Sequence, residues 1–117
     1  MSVVLVIEDD PDIRALMIRR IAKSGIEVIG AGTGEQGLEL AASRRPDLIV
    51  LDILLPGISG WQVIERLSSD ELLKEIPVVI ASIVDPVEES HDAVRAHLVK
   101  PISRGRLESA VEEALAP

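Results

Sequence analysis

Residues 47–60, DLIVLDILLPGISG, decide the fold. Within this stretch Leu48-Ile49-Val50-Leu51 is apolar without interruption, and it ends abruptly on a carboxylate, Asp52. An apolar run of that length with no polar alternation is a strand covered on both faces, as in a parallel sheet. Such a strand delivers the residue that follows it to the sheet's carboxyl edge, where open α/β sheets place their chemistry. Pro56, Gly57 and Gly60 then force a loop. An isolated Asp after a strand is an ordinary turn or cap residue, so its meaning depends on how the other strands end.

Upstream, Val3 to Ile7 is a second unbroken apolar run, and it stops at Glu8-Asp9-Asp10-Pro11. Asp10 before Pro11 is set to cap a helix whose Ile13, Leu16, Met17 and Ile21 recur at helical spacing, ending near Ser24 and Gly25. Glu8 and Asp9 precede that cap and are not explained by it. Ile26 to Ile29 predicts a short strand, and Thr33 with Gln36 a capping box for a helix turning Leu38, Ala41 and Ala42 inward. Ser59 and Gln62 repeat the capping-box spacing after the central strand, ahead of a stripe of Trp61, Ile64 and Leu67. Trp61 is assigned to packing. Pro77 to Ala81 predicts a fourth strand ending at Ser82, and Asp85, Pro86 and Glu88 the start of a short fourth helix. Leu98-Val99 belongs to a short fifth strand ending at Lys100-Pro101, and Ser103 opens a last helix with Leu107, Ala110, Val111 and Ala114 facing in.

Strands alternating with helices in this way predict a three-layer α/β domain, a five-stranded parallel sheet covered on both faces. Doubly wound in the order 2-1-3-4-5, the sheet would have its switch point between strands one and three. The 117 residues suffice for one domain, spanning 1–117. A formal net charge of −8 argues against a nucleic-acid partner, which calls for a basic face. The chain has no cysteine, hence no disulfide frame or thiolate metal site. No apolar run approaches the ~20 residues that span a bilayer, so the expected location is cytoplasmic with no membrane contact.

Four strand ends therefore carry functional side chains: Glu8 and Asp9, Asp52, Ser82 and Lys100. Three converging carboxylates repel one another unless a cation neutralises them. Hard oxygen ligands suit Mg²⁺. A metal-binding acid set, a carboxylate nucleophile and a facing Lys are the parts required for phosphoryl transfer, where positioning and charge neutralisation do most of the catalysis.

With VLVIEDDPDIR, DLIVLDILLPGISG, VVIAS and LVKP in this order, the chain resembles the receiver domain of two-component response regulators along essentially its whole length. The resemblance implies a flavodoxin-like fold and a phosphorelay role. Asp52 would accept a phosphoryl group from a phosphohistidine on a sensor histidine kinase or phosphotransfer protein. Glu8, Asp9, Asp52 and the backbone carbonyl of Leu54 would hold Mg²⁺, Lys100 would contact the phosphoryl oxygens, and Ser82 would sense them. It further implies a cis Lys100-Pro101 bond, output through protein contact, and no catalysis beyond the domain's own phosphorylation and dephosphorylation, and it leaves homodimerisation open.

Two departures stand out. The stretch from Ser82 to Lys100 is shorter than the family's by about one helical turn, ~3.6 residues, which implies a shortened fourth helix and looks more like receivers of hybrid sensor kinases. His97 stands where the family carries a switch aromatic. It either swings inward on phosphorylation, with the response spread over residues 83 to 98, or remains a surface contact for a partner.

A nucleotide- or flavin-binding module is the rival, because Gly32, Gly34 and Gly37 spell G-x-G-x-x-G between a strand and a helix. That fingerprint follows the second strand rather than the first and leaves Glu8, Asp9, Ser82 and Lys100 unused, while Trp61 is the one aromatic available to stack on a flavin. An aspartyl phosphatase resembling D-x-D is excluded by Leu54 at the second acidic position.

Overall fold

In a computed structural model, which describes residues 2–22, 25–84, 92–103 and 105–117, the apolar runs form one parallel sheet. The strands are β1 (Val3–Ile7), β2 (Glu27–Ala31), β3 (Leu48–Leu51), β4 (Val78–Ser82) and β5 (Val94–Val99), in the spatial order β2-β1-β3-β4-β5. The described helices are α1 (Pro11–Ile21), α2 (Gly34–Arg44), α3 (Gly60–Ser68) and α4 (Arg106–Leu115). The doubly wound topology and strand order are those predicted.

Side-chain alternation explains why the central strands are apolar throughout. Leu5, Ile7, Ile49, Leu51, Val78 and Ile80 pack on one face with Ala41 of α2 and Val63, Ile64 and Leu67 of α3. Val4, Val6, Leu48, Val50, Val79 and Ala81 pack on the other with Met17 and Ile21 of α1 and Leu107, Ala110 and Val111 of α4. Both sets are buried, which leaves the polar side chains of these strands to their carboxyl ends, where Ser82 closes β4.

Several local expectations are corrected. The α1 stripe is narrower than its periodicity implies: Met17 and Ile21 are buried, while Ile13 and Leu16 are 37% and 40% exposed. The helix ends at Ile21, and Ser24 lies outside the described residues. In α2 Leu38 packs against the core and Ala41 is buried as expected, but Ala42 is exposed, and the small residues Gly34 and Gly37 complete the inward face and let the helix settle close to the sheet. Strand β2 runs on to Ala31, held by its pairing with Ile7. Strand β5 starts at Val94, earlier than Leu98, since an edge strand tolerates the polar Arg95 and His97 that disguise it. The last helix begins at Arg106, its cap Gly105 being left-handed at φ 87° without a side-chain bond. The helix expected from Asp85, Pro86 and Glu88 lies outside the described residues.

The helix-start signals fare better. Asp10 accepts from the Asp12 and Ile13 N–H groups at 2.9 and 3.1 Å, with Pro11 in the first turn. Ser59 and Gln62 form the complete reciprocal box. Thr33 accepts from the Gln36 N–H at 3.1 Å, but Gln36 Oε1 accepts from Gly32 rather than Thr33, one residue further back, so that box is half formed.

Candidate functional site

The carboxyl ends of β1 and β3 are adjacent, and their first residues beyond the strands are fixed through the main chain. The Glu8 N–H donates to the Ala31 carbonyl and the Asp52 N–H to the Ile7 carbonyl, each at 3.0 Å. Asp52 is also backed by α3. A Cβ at Gly60 would collide with the Asp52 carbonyl oxygen and lie 2.7 Å from Ile53 Cα, so this helix start approaches the strand end only as glycine. The Gly60 N–H donates to the Ile53 carbonyl at 2.9 Å.

On this frame Glu8, Asp9 and Asp52 each present a carboxylate oxygen, all within 4.8 Å of one another. Glu8 and Asp52 are buried and Asp9 is exposed, so the cluster opens to solvent on one side. Lys100, just past β5, crosses to the same point: its Nζ donates to Glu8 Oε1 and, at 3.1 Å, to Asp52 Oδ2. The other Asp52 oxygen, Oδ1, accepts from the Leu54 N–H at 3.1 Å. The Lys100-Pro101 peptide is cis.

The electrostatics follow from this burial. Desolvation pushes the Glu8 carboxyl above its ordinary range, and the Lys100 ammonium pulls it back only in part. Burial alone would lower Lys100, but its bonds to Glu8 and Asp52 prevail and hold it above the usual lysine value. Excess negative charge held close by one cation is a setting for a divalent metal, and all the donors are hard carboxylate oxygens, as Mg²⁺ requires.

Ser82 ends β4 fully buried, and its main chain joins the site because its carbonyl accepts from the Lys100 N–H at 2.8 Å. Its Oγ accepts from the Val84 N–H at 3.4 Å. His97 is partly buried and bridges back to the same loop, Nε2 lying 2.9 Å from the Val84 carbonyl, with its ring centroid 6.5 Å from that of Trp61. Since a carbonyl only accepts, Nε2 carries the proton. The His97 ring is therefore tied to the loop that follows β4. Trp61 packs against the core, as expected.

The glycine fingerprint serves packing. A Cβ at Gly34 would lie 2.7 Å from both Ile58 and Val63 side chains, and one at Gly37 would collide with Ile7. What sequence reasoning missed is Arg14, whose Nη1 donates to the Glu8 carbonyl at 2.9 Å.

No helix among the described residues is long and apolar enough to cross a membrane. The profile of the response regulator receiver domain matches residues 4–112. The chain is similar to the transcriptional regulatory protein AfsQ1 of Streptomyces coelicolor, 33% identical over 98% of this chain and 52% of that one, so it spans about half of that relative. It is 34% identical to the polar-differentiation response regulator DivK of Brucella anthropi, over 96% of this chain and 94% of that one. Among solved structures, the response regulator TrrA of Thermotoga maritima, in complex with Mg²⁺-BeF, superposes with a TM-score of 0.88 at 29% identity, covering 98% of this chain and 100% of that one. With the sheet order, the acid cluster and the bridging lysine in place, these matches show that the chain belongs to the response regulator receiver domain family, the phosphoacceptor modules of two-component signalling.

Proposed function

We propose that Asp52 is the phosphoacceptor. The observation that carries this is the bridge from Lys100 Nζ to Glu8 and Asp52, which sets a cation against a buried nucleophile at the sheet's switch point. An Asp52 carboxylate oxygen attacks the phosphorus of a phosphohistidine. The P–N bond breaks, its electron pair returns to the imidazole, and the imidazole takes up a proton. The product is an acyl phosphate, whose hydrolysis restores the carboxylate.

Glu8, Asp9, Asp52 and the Leu54 main-chain carbonyl would hold Mg²⁺, which when bound neutralises charge on the phosphoryl oxygens. Lys100 leaves its carboxylate partners to follow the negative charge onto the phosphoryl group, and Ser82 Oγ exchanges its long bond to Val84 for a phosphoryl oxygen. The donor is a sensor histidine kinase or phosphotransfer protein. With a net charge of −8, output goes by protein contact, in the cytoplasm.

Incubation with acetyl phosphate and Mg²⁺, followed by intact mass measurement, tests this. The wild type gains one phosphoryl mass and Asp52→Asn gains none; an adduct that persists in Asp52→Asn overturns the assignment.

A further inference from the structure

Besides the Lys100 bond to its Oε1, Glu8 is held at three further points, and one of these holds comes from a helix. Its N–H donates to Ala31 of β2, and its Oε2 accepts from the Asp10 N–H at 3.2 Å. Its carbonyl accepts from Arg14 Nη1 at 2.9 Å. Arg14 is itself anchored in α1, its N–H donating to the Asp10 carbonyl at 2.8 Å. Two residues of β2 and its exit clear the way for its side chain. A Cβ at Gly30 would stand 3.2 Å from Arg14 Cδ and 2.9 Å from Ile18 Cδ1, and a Cβ at Gly32 would stand 3.1 Å from Arg14 Nη1. The Gly32 N–H is tied down by Gln36 Oε1 at 3.0 Å.

We propose that Arg14 is a positioning residue for the metal: by gripping the Glu8 carbonyl it fixes the direction in which the Glu8 carboxylate enters the acid cluster. The proposal rests on the Mg²⁺ site described above. Loss of a group that orients a metal ligand without touching the metal typically costs about 10–100-fold in metal affinity. The alternative role for Arg14, a counter-charge to the acids, predicts the opposite sign. A cation beside the cluster competes with Mg²⁺, so its removal would tighten binding, whereas loss of a positioning bond loosens it. Arg14 donates to a carbonyl while Lys100 already serves the carboxylates, and this favours positioning.

Calorimetric titration of MgCl₂ into the full chain separates the two roles. Arg14→Met keeps the aliphatic stem and removes the donor; its Mg²⁺ dissociation constant should rise about tenfold. Arg14→Lys, which retains one donor, should recover most of that loss. Gly32→Val, which crowds the guanidinium without removing it, should shift affinity in the same direction. In EDTA, the Asp10 amide of Arg14→Met should exchange faster, because its acceptor Glu8 Oε2 has moved, while the global melting temperature changes little. Wild-type or tighter Mg²⁺ binding in Arg14→Met, an equal loss in Arg14→Lys, or unchanged binding in Gly32→Val each overturns the proposal. A wild type that binds no Mg²⁺ overturns the metal site first, and this inference with it.

Discussion

The two halves of the site are built differently. At the β1 and β3 ends, Glu8 and Asp52 are fixed by ladder bonds, and Gly60 backs Asp52 so closely that no side chain fits between them. At the β4 and β5 ends, Ser82 and His97 both reach Val84, through a 3.4 Å bond and a side-chain bond to a carbonyl. The first arrangement resists displacement because moving either acid breaks sheet pairing. The second is exchangeable, since a hydroxyl and an imidazole can change partners without disturbing a strand. On the proposed function, chemistry falls to the rigid half and readout to the half with replaceable bonds, and the Lys100 side chain and main chain reach both, its N–H on Ser82 and its Nζ on the acids.

Removing that joint should have the largest effect. In Lys100→Met two buried carboxylates face each other without a cation, and breaking a buried pair costs about 3 kcal/mol or more. The sign of its pH dependence follows from the shifts. Lys100, raised, contributes fully below its ordinary alkaline value and loses that contribution as pH rises through its folded value. Glu8, raised by burial, favours the folded state while protonated and weakens it as pH rises through its folded value. Without Lys100 it rises further. Urea denaturation in EDTA should therefore show the variant's deficit growing as pH rises from the ordinary carboxylate range toward neutrality, with added Mg²⁺ restoring part of it. A deficit that is constant across this range would mean the ion pairs contribute no net stability.

Gly60→Ala attacks the rigid half directly. Overpacking against backbone costs about 1–3 kcal/mol, and here the displaced atom is the Asp52 carbonyl. Both stability and acetyl-phosphate labelling should fall together. Loss of stability with labelling intact would show that Asp52 tolerates movement and that the contrast between the halves is overdrawn.

Legibility in the sequence tracks the same contrast. Strands β1 and β3 are readable to the residue because burial on both faces leaves no polar position to confuse them, and Glu8, Asp9 and Asp52 follow from where they end. Strand β5 is an edge, half exposed through Val94-Arg95-Ala96-His97, so only its buried end was visible. Arg14 left no periodic signal because it reaches a carbonyl from a polar helix face. Its trace is the Gly30 and Gly32 pair, of which Gly30 carries no signal of its own and Gly32 belongs equally to the rival G-x-G-x-x-G reading.

The acidic strip itself separates metal from cap. Asp10→Ala should cost about 1 kcal/mol in a thermal melt, as lost caps do, and keep Mg²⁺ binding. Asp9→Ala should abolish Mg²⁺ binding while leaving the metal-free protein as stable or more so, since it removes a like charge from the cluster. Metal loss in Asp10→Ala alone would reverse the two roles.

The smallest effect is expected in the exchangeable half. His97→Ala removes the bond to the Val84 carbonyl, a hydrogen bond of about 1 kcal/mol, and leaves the sheet intact because the imidazole takes no part in strand pairing. Amide hydrogen exchange should speed up severalfold at Ile83 and Val84 and remain unchanged at Glu8 and Asp52. In the wild type, beryllofluoride with Mg²⁺ should draw Ser82 Oγ off the Val84 N–H, so protection should change at Val84 and along 92–98 as well as in the Asp52 loop. If His97 holds the loop in its resting arrangement, the ligand-induced change at Val84 should be smaller in His97→Ala, because part of the loosening has already occurred. Protection changes confined to the Asp52 loop in both proteins would mean that the His97 bond is static and that the signal leaves by another route.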